Sequence, residues 1–329
     1  MTLANPFPPG ARGHRRKRGA RQDVVETRYA GSRGLHLGRE YDLNQAFARP
    51  APWLNAINYM ANGSNSYYNA AQITLRKRGA GKLFYRIGYS FSKSVDDASQ
   101  FSGVATGGFS GAQDSRNLRL ERGRSDWDRT HALQGSASWH VPVGKGSALL
   151  GTSGGIANAI LGGWQLSSSF SGYSGSPFTV TVANADLNVG EFQRPNRIGT
   201  GIEPDRGSGH KGVDYPFFRA ADFEPVPCAR DNCAPSRFGF QPFAPGNSGR
   251  NILSGPRLFV VNGAMLKNFQ VRESQRVQFR FEAFNVPNRP NFLLPNRQLG
   301  TFGTGQITGV LGAGRGGPRS LQLALRYEF

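Results

Sequence analysis

The sequence predicts an all-β chain of antiparallel strands, because apolar and polar residues alternate over several long segments and helical periodicity is absent. The clearest segment is 320–329, where the odd positions are Leu, Leu, Leu, Tyr and Phe, and the even positions from 322 onward are Gln, Ala, Arg and Glu. Successive side chains of a strand point to opposite faces, so this strand has one apolar and one mostly polar face. Aromatic residues form 11% of the 329 residues, and this content excludes a disordered chain.

The same alternation predicts about eight strands, taken in chain order. They are 23–30, 67–77, 82–92, 131–141, 163–173, 257–269, 276–285 and 319–329. Several are about 10 residues long, which suffices to cross a membrane at a tilt, whereas strands of soluble proteins are mostly about 5–6 residues long. The polar faces contain mid-strand charges such as Arg86 and Arg280, and aromatic residues such as Trp139 and Tyr327 gather near strand ends. Both features are typical of a barrel with a wet lumen and aromatic girdles.

The connections between the predicted strands alternate between short and long. The links 78–81 and 270–275 are tight, 142–162 is of medium length, and 31–66, 93–130, 174–256 and 286–318 are long. Short turns at one end and long loops at the other are typical of outer-membrane barrels. We therefore expect part of an antiparallel transmembrane β-barrel, with long extracellular loops and with short turns and the C-terminus in the periplasm. A secreted sandwich or propeller, whose apolar faces would form a core, is the alternative.

The N-terminal segment differs in composition from the rest of the chain. Residues 1–22 contain six Lys or Arg, no acid and no apolar core of a secretory signal. No run of 18 apolar residues predicts a transmembrane helix anywhere in the sequence. We therefore divide the chain into two parts. Residues 1–22 form a basic segment that we expect to be disordered or wrongly assigned to the protein, and residues 23–329 form a partial outer-membrane barrel.

The formal net charge is +19, from 40 Lys and Arg against 21 Asp and Glu. This charge suggests a second function, that of a nucleic-acid-binding β protein with a basic arm. Such a surface needs clustered basic residues interleaved with stacking aromatic residues. Beyond residue 22, the basic residues are instead mixed with all of the acids, and the aromatic residues lie on the face opposite the mid-strand charges. We therefore expect no nucleic-acid partner, and we interpret the charge as a basic lumen and loop surface. A secreted carbohydrate-binding sandwich is a third function, but it would need a signal peptide.

Two glycine-rich motifs resemble nucleotide-binding loops. Gly312, Gly314 and Gly317 fit the G-x-G-x-x-G spacing, but a dinucleotide site requires a helix after the motif. Here Pro318 and a strand follow, so we predict a loop without a cofactor. The segment 144–147, Gly-Lys-Gly-Ser, lacks the upstream glycine of a P-loop and is predicted to be a turn.

Three residues have the chemistry of metal ligands, namely Asp126, Asp128 and His131. No glutamate or second histidine reinforces them, so we expect a charge cluster at the barrel mouth, in which the two aspartates pair with Arg124 and Arg129. The same interpretation applies to Lys93, Asp96 and Asp97. No Ser/His/Asp set has the context of a hydrolase. We therefore expect no enzymatic activity, no cofactor and no metal site.

The two cysteines, Cys228 and Cys233, lie in the longest predicted loop and enclose four residues. In a cytosolic protein they could be two zinc ligands, but no further ligands lie nearby. On an exported chain a small loop-closing disulfide is the better interpretation.

An ordered set of segments resembles the C-terminal barrel region of the Oar-like TonB-dependent outer-membrane receptors, which carry a carboxypeptidase-regulatory-like domain ahead of a plug. The segments are YAGSRGLHL (29–37), YSFSKSVDDAS (89–99), RGRSDWDRTHAL (122–133), LGGWQLS (161–167), SGSPFTV (174–180), GRNILSGP (249–256), QFRFEAFNVPNRPNF (278–292) and LRYEF (325–329). The resemblance implies a receptor that binds an unknown ligand through its loops and imports it with energy from the TonB system, through a plug domain. It also implies the cell outer membrane as location and membrane lipid as a partner.

The end of the chain looks like the signal read by the barrel-assembly machinery, another implied partner. The polar, glycine and two aromatic positions of that signal fall on Gln322, Ala324, Tyr327 and Phe329, with alanine in the glycine place. Members of the family are far longer, with a signal peptide, a plug and a barrel of many more strands. We therefore expect the sequence to be a fragment or a frameshifted start of such a receptor.

Overall fold

The computed structural model describes the backbone of residues 15–18, and residues 23–45, 51, 53–54, 57–77, 82–99, 111–147, 149–152, 154–182, 193–202, 216–226, 245–272, 275–312 and 316–329.

The main element is one antiparallel sheet in which each strand pairs with the next along the chain. Its nine successive strands are β1 (Arg15–Arg18), β2 (Asp23–Asp42), β3 (Asn58–Lys77), β4 (Leu83–Asp96), β5 (His131–His140), β6 (Trp164–Tyr173), β7 (Leu258–Arg272), β8 (Gln275–Phe284) and β9 (Ser320–Glu328). The two-residue strand Gly123–Arg124 adds to the upper end of β4 as the tenth. This up-and-down order places alternate connections at opposite ends of the sheet.

All eight predicted strands are present, but the predicted count of about eight is too low. Over the described residues the sheet has ten strands, and the two extra ones are Gly123–Arg124 and β1, which lies within the basic segment 1–22, most of which is outside the described residues. Among the described strands, β1 and β9 each have a single neighbour, so the sheet is open and forms no closed barrel. The domain boundary after residue 22 stays a prediction.

The predicted loop 31–66 is wrong over most of its length. Strands β2 and β3 continue as a paired ribbon until Asp42 lies opposite Asn58, with register shifts between Gly34 and Gly38. A strand of 20 residues is about 66 Å long, whereas about 9–11 residues cross a bilayer. The ribbon therefore extends beyond the membrane, where neither face needs to be continuously apolar. That is why the alternation is weak there.

The shorter connections between β3 and β8 lie at the end of the sheet that also holds the C-terminus. They span 78–82, 141–163 and 273–274, and the second contains the helix α1 (Gly155–Leu161). No helix in the described ranges combines the length and the apolar character needed to span a membrane.

Most buried apolar side chains lie in the long connections at the opposite end, and these pack together. Phe178, Val180, Phe218, Phe223, Leu253 and Leu299 form one buried cluster. Short strand pairs also join these connections, for example Thr181–Val182 with Gln298–Leu299. We call the described parts of 97–130, 174–257 and 285–319 the loop cap.

Candidate membrane and ligand-binding surfaces

One face of the sheet is a continuous apolar surface, here called the apolar face. Strand register places six large side chains in one row across β4 to β9, namely Leu83, Trp139, Leu166, Met265, Phe281 and Leu323. On β9 the side chains of Leu321, Leu323 and Leu325 are 62–73% exposed. Exposed apolar surface on this scale marks contact with a partner or a membrane.

The opposite face is polar and carries paired charges. Arg76 donates to Glu26 at 2.7 Å across β3 and β2. Arg280 pairs with Glu282 on β8, and Arg276 pairs with Glu328 of β9. These paired charges therefore lie opposite the apolar face, as the sequence predicts for the lumen side of a barrel.

A buried ion pair lies inside the loop cap. Arg194 Nη1 is 2.7 Å from Glu121 Oε2, and each side chain is only 1% exposed. The other carboxylate oxygen of Glu121 accepts the backbone N–H of Gln113, and the side-chain carbonyl of Gln113 accepts the backbone N–H of Arg194. Arg194 Nε donates to the carbonyl of Ser248. Buried charges require this degree of pairing, and here the pairing joins the connections 97–130 and 174–257.

A second buried arginine ties the loop cap to the sheet. Arg250 forms an ion pair with Asp96 at the end of β4 and also donates to the backbone carbonyl of Asp96. Its Nε donates to the carbonyl of Glu121 at 2.8 Å, and its Nη1 to Ser99 Oγ at 3.0 Å. One side chain therefore fixes three segments, and neither of these buried pairs is predicted from the sequence.

The predicted cluster of Asp126 and Asp128 with Arg124 and Arg129 holds only in part, because Asp128 lies close enough to interact with both arginines, whereas Asp126 has other partners. Asp126 Oδ1 accepts from Asn251 Nδ2 at 2.6 Å and lies 3.7 Å from Arg250 Nη1. Arg124 donates instead to the carbonyls of Asn251 and Leu253. The reason is that segment 251–254 covers the top of β4, so its carbonyls compete for the guanidinium.

Asp128 also has backbone contacts with its neighbours. Asp128 Oδ1 accepts the backbone N–H of Ser94 at 2.7 Å, and Arg129 Nη1 donates to the carbonyl of Asp128 at 2.8 Å. Burial lowers the pKa of the Arg129 guanidinium, and the nearby charge of Asp128 opposes that shift. The aspartate therefore joins the strand to the loop cap rather than forming a surface ion pair.

His131 lies apart from these carboxylates, at the top of the apolar face. Its Nδ1 is 2.8 Å from the hydroxyl of Tyr89, and its ring stacks on the Tyr89 ring with centroids 6.2 Å apart. Among the side chains that the structure describes, no three His, Cys, Asp or Glu come together as a metal site.

The other predicted charge cluster, of Lys93, Asp96 and Asp97, separates into three parts. Asp97 accepts from Ser64 Oγ at 2.5 Å and lies 3.7 Å from Arg39 Nη1. Asp96 forms an ion pair with Arg250. Lys93 is exposed and lines a cavity of about 430 Å³ at the upper end of the apolar face.

Basic and aromatic side chains surround the upper edge of β2 to β4. The guanidinium groups of Arg33 and Arg122 lie 5.1 and 5.8 Å from the centroid of the Tyr67 ring. Arg122 and Tyr67 also line a cavity of about 110 Å³ with Asp97. This edge is open, polar and positively charged, which suits a surface that contacts solutes or lipid headgroups.

The four residues of the predicted assembly signal divide between the two faces of β9. Gln322 lies opposite Glu282, and Ala324 opposite Arg280, on the polar face. Tyr327 and Phe329 stack with ring centroids 5.9 Å apart, and Phe329 is 92% exposed. Their role in assembly stays a prediction.

The remaining motifs are partly described. Segment 144–147 is a turn, with Gly144 and Gly146 at positive φ, as predicted. A strand and no helix follows Gly317, whereas Gly314 lies outside the described residues. Cys228 and Cys233 also lie outside them, so their disulfide stays a prediction.

Comparisons with known proteins place this fold in a family. Residues 19–322 match the family model described as Outer membrane beta barrel domain. A comparison with curated proteins gives no match. Among solved structures, the outer membrane transporter YddB from Escherichia coli matches at 6% identity and a TM-score of 0.45, covering 95% of this chain and 31% of that chain. The chain thus spans about a third of the length of that transporter. Since the family model covers most of the chain, the protein belongs to the outer membrane beta barrel domain family and is located in the cell outer membrane.

Proposed function

We propose that the chain is the C-terminal part of an Oar-like TonB-dependent outer-membrane receptor, which binds an unknown ligand with its extracellular loops and imports it. The observation that carries the proposal is the loop cap. Three long connections at one end of the sheet form a buried core and two buried arginine–carboxylate pairs. A preorganised loop surface on a rigid strand scaffold is the usual arrangement for binding.

The proposed activity is binding and transport without chemistry. Buried ionisable side chains of the loop cap, such as Arg194 and Arg250, are used in ion pairs and backbone contacts that hold the loops in place. Lipid would contact the apolar face, the barrel-assembly machinery would insert the chain, and TonB would act through a plug domain, which members of that receptor family carry ahead of the barrel.

The charge of the upper edge favours an anionic ligand or an anionic cell envelope. Arg33 and Arg122 flank Tyr67, and Lys93 on the neighbouring strand β4 is exposed. Arginine recognises phosphate and carboxylate groups through two parallel hydrogen bonds.

The test uses the growth medium itself as the probe. Mass spectrometry of spent medium is compared between the producing strain, a strain lacking the protein, and a strain with disrupted tonB. The proposal predicts at least one solute, anionic by ion-exchange behaviour, that only the first strain depletes. Equal depletion by all three strains would overturn the transport role, while depletion lost without the protein and kept without tonB would remove TonB from the proposal.

A further inference from the structure

The periplasmic connection 141–163 contains an apolar element that no other residue described in the structure covers. The seven residues of α1, Gly-Ile-Ala-Asn-Ala-Ile-Leu, include no charge, and none of them is buried. Ile156 is 79% exposed, Ile160 58% and Leu161 48%. Leu149 and Leu150 of the same connection are also more than half exposed.

A helix with this composition and length is not stable by itself in water. Helices shorter than about 12 residues are marginal even with good helix formers, and one that is apolar all round normally lies in a core or a membrane. The only polar side chain, Asn158, is used within the connection, where its Oδ1 accepts the backbone N–H of Lys145 at 2.7 Å. The most exposed side chains of α1 are therefore all apolar.

The apolar face of the sheet holds α1 in place through one lysine. Lys267 of β7 lies in a row of the apolar face between Trp164 and Phe279, and yet it is only 3% exposed. Its Nζ donates to the carbonyl of Ile160 at 2.9 Å and to that of Gly162 at 2.5 Å. A cation at these terminal carbonyls neutralises the negative end of the helix and satisfies acceptors that have no partner within it.

Aromatic rings complete this attachment. Lys267 Nζ lies 5.2 Å from the centroid of the Trp164 ring and 5.0 Å from that of Phe269. The indole N–H of Trp164 donates to the carbonyl of Ile160 at 3.0 Å. The charge is thus enclosed by ring faces and carbonyl oxygens, which lets a lysine occupy a position on the lipid-facing surface.

We infer that α1, with Leu149 and Leu150, is an interfacial anchor inserted into the periplasmic leaflet of the outer membrane, and that Lys267 is the residue that positions it. The occupant is phospholipid, because the exposed side chains of α1 continue the apolar face at the level where its strands end. The end of the sheet is periplasmic, since it holds the short turns and the C-terminus. Apolar helix side chains at such a boundary enter the region between headgroups and acyl chains.

The test measures lipid contact directly with nitroxide side chains in isolated outer membranes that contain the full chain. Both native cysteines are replaced by serine, and single cysteines are introduced as Ile156→Cys, as Leu323→Cys for the apolar face, and as Ile202→Cys for a loop-cap site as exposed as Ile160. The ratio of oxygen to nickel-chelate accessibility is high in lipid and low in water. The inference predicts a ratio at position 156 that is at least about threefold above that at 202 and close to that at 323.

The positioning role of Lys267 is tested by adding Lys267→Met to the Ile156→Cys protein. The matched control is Lys145→Met, which replaces a lysine of the connection 141–163 that contains α1. Lys267→Met removes both hydrogen bonds and should lower the ratio at 156 toward the value at 202, with no change at 323. Lys145→Met should leave it unchanged. A water-like ratio at 156 beside a lipid-like ratio at 323 would overturn the anchor, and an unchanged ratio in Lys267→Met would overturn the role of the lysine. Water-like ratios at both positions would overturn the membrane placement as well, a result independent of the proposed transport.

Discussion

The sheet and the loop cap are stabilised by opposite means. In the sheet, large apolar side chains such as Leu323 and Leu325 are mostly exposed, and buried side chains are few. In the loop cap, Phe178, Val180 and Phe218 are almost completely buried, and so are charged groups such as Arg194. The loop cap has the interior of a soluble domain, whereas the sheet lacks one.

This difference identifies the solvent that each region requires. An apolar face of this size becomes favourable only when lipid covers it, because contact with water costs about 25 cal/mol per Å². The loop cap buries its own apolar surface and pairs its charges, so it is adapted to water. The boundary between the two regions lies where β4 ends, at Asp96.

The largest expected effect comes from the arginine that joins the two regions. Arg250→Met leaves the buried carboxylate of Asp96 without its partner, which should destabilise the loop cap by about 3–5 kcal/mol. Limited proteolysis of outer membranes should then cleave the connections 97–130 and 174–257 faster, while the sheet remains intact. Arg219→Met is the control, because its side chain is 55% exposed and its ion pair with Asp222 at the surface contributes about 0–1 kcal/mol. Equal protease resistance in the two variants would contradict the role of Arg250 in joining the loop cap to the sheet.

A smaller effect is expected on the lipid side. Leu323→Arg places a charge in the apolar face and should cost about 2–4 kcal/mol of membrane-embedded stability. Gln322→Arg, one residue away on the polar face and next to Glu282, should cost much less. Urea titrations of the protein refolded into lipid vesicles compare the two. If Gln322→Arg were the more damaging change, the assignment of the faces would be reversed.

The smallest effect on folded stability is expected at the C-terminus. Phe329→Ala removes a ring that is 92% exposed, so the folded protein should lose little stability. If the C-terminal signal operates, the amount of protein in the outer-membrane fraction should nevertheless fall. Phe302→Ala, at a fully exposed loop phenylalanine, is the matched control and should have no such effect. Equal amounts of both variants in that fraction would contradict the signal.

The strands could be predicted from the sequence where the two faces of a strand meet different surroundings. The alternation in 276–285 and 319–329 predicts β8 and β9 because lipid on one side and polar surroundings on the other impose a period of two. The same reasoning failed for the upper parts of β2 and β3, which lie beyond the bilayer. Without lipid on one face, no period is required.

The contacts that hold the loop cap could not be predicted, because they join distant parts of the chain. Arg250 and Asp96 are 154 residues apart, and Arg194 and Glu121 are 73 apart. No local pattern marks such partners. The special role of Lys267 could have been recognised from the sequence, because it is a charged residue in a series of apolar positions along β7.

The central claim is that the apolar face of the sheet lies in lipid, and a nitroxide scan along β9 tests it most directly. Single cysteines are introduced one at a time from Leu321 to Tyr327 in a protein without native cysteines, and accessibility is measured in isolated outer membranes. We predict a period of two, with oxygen favoured at 321, 323, 325 and 327 and the nickel chelate favoured at 322, 324 and 326. Uniform accessibility to the nickel chelate at all seven positions would contradict the account.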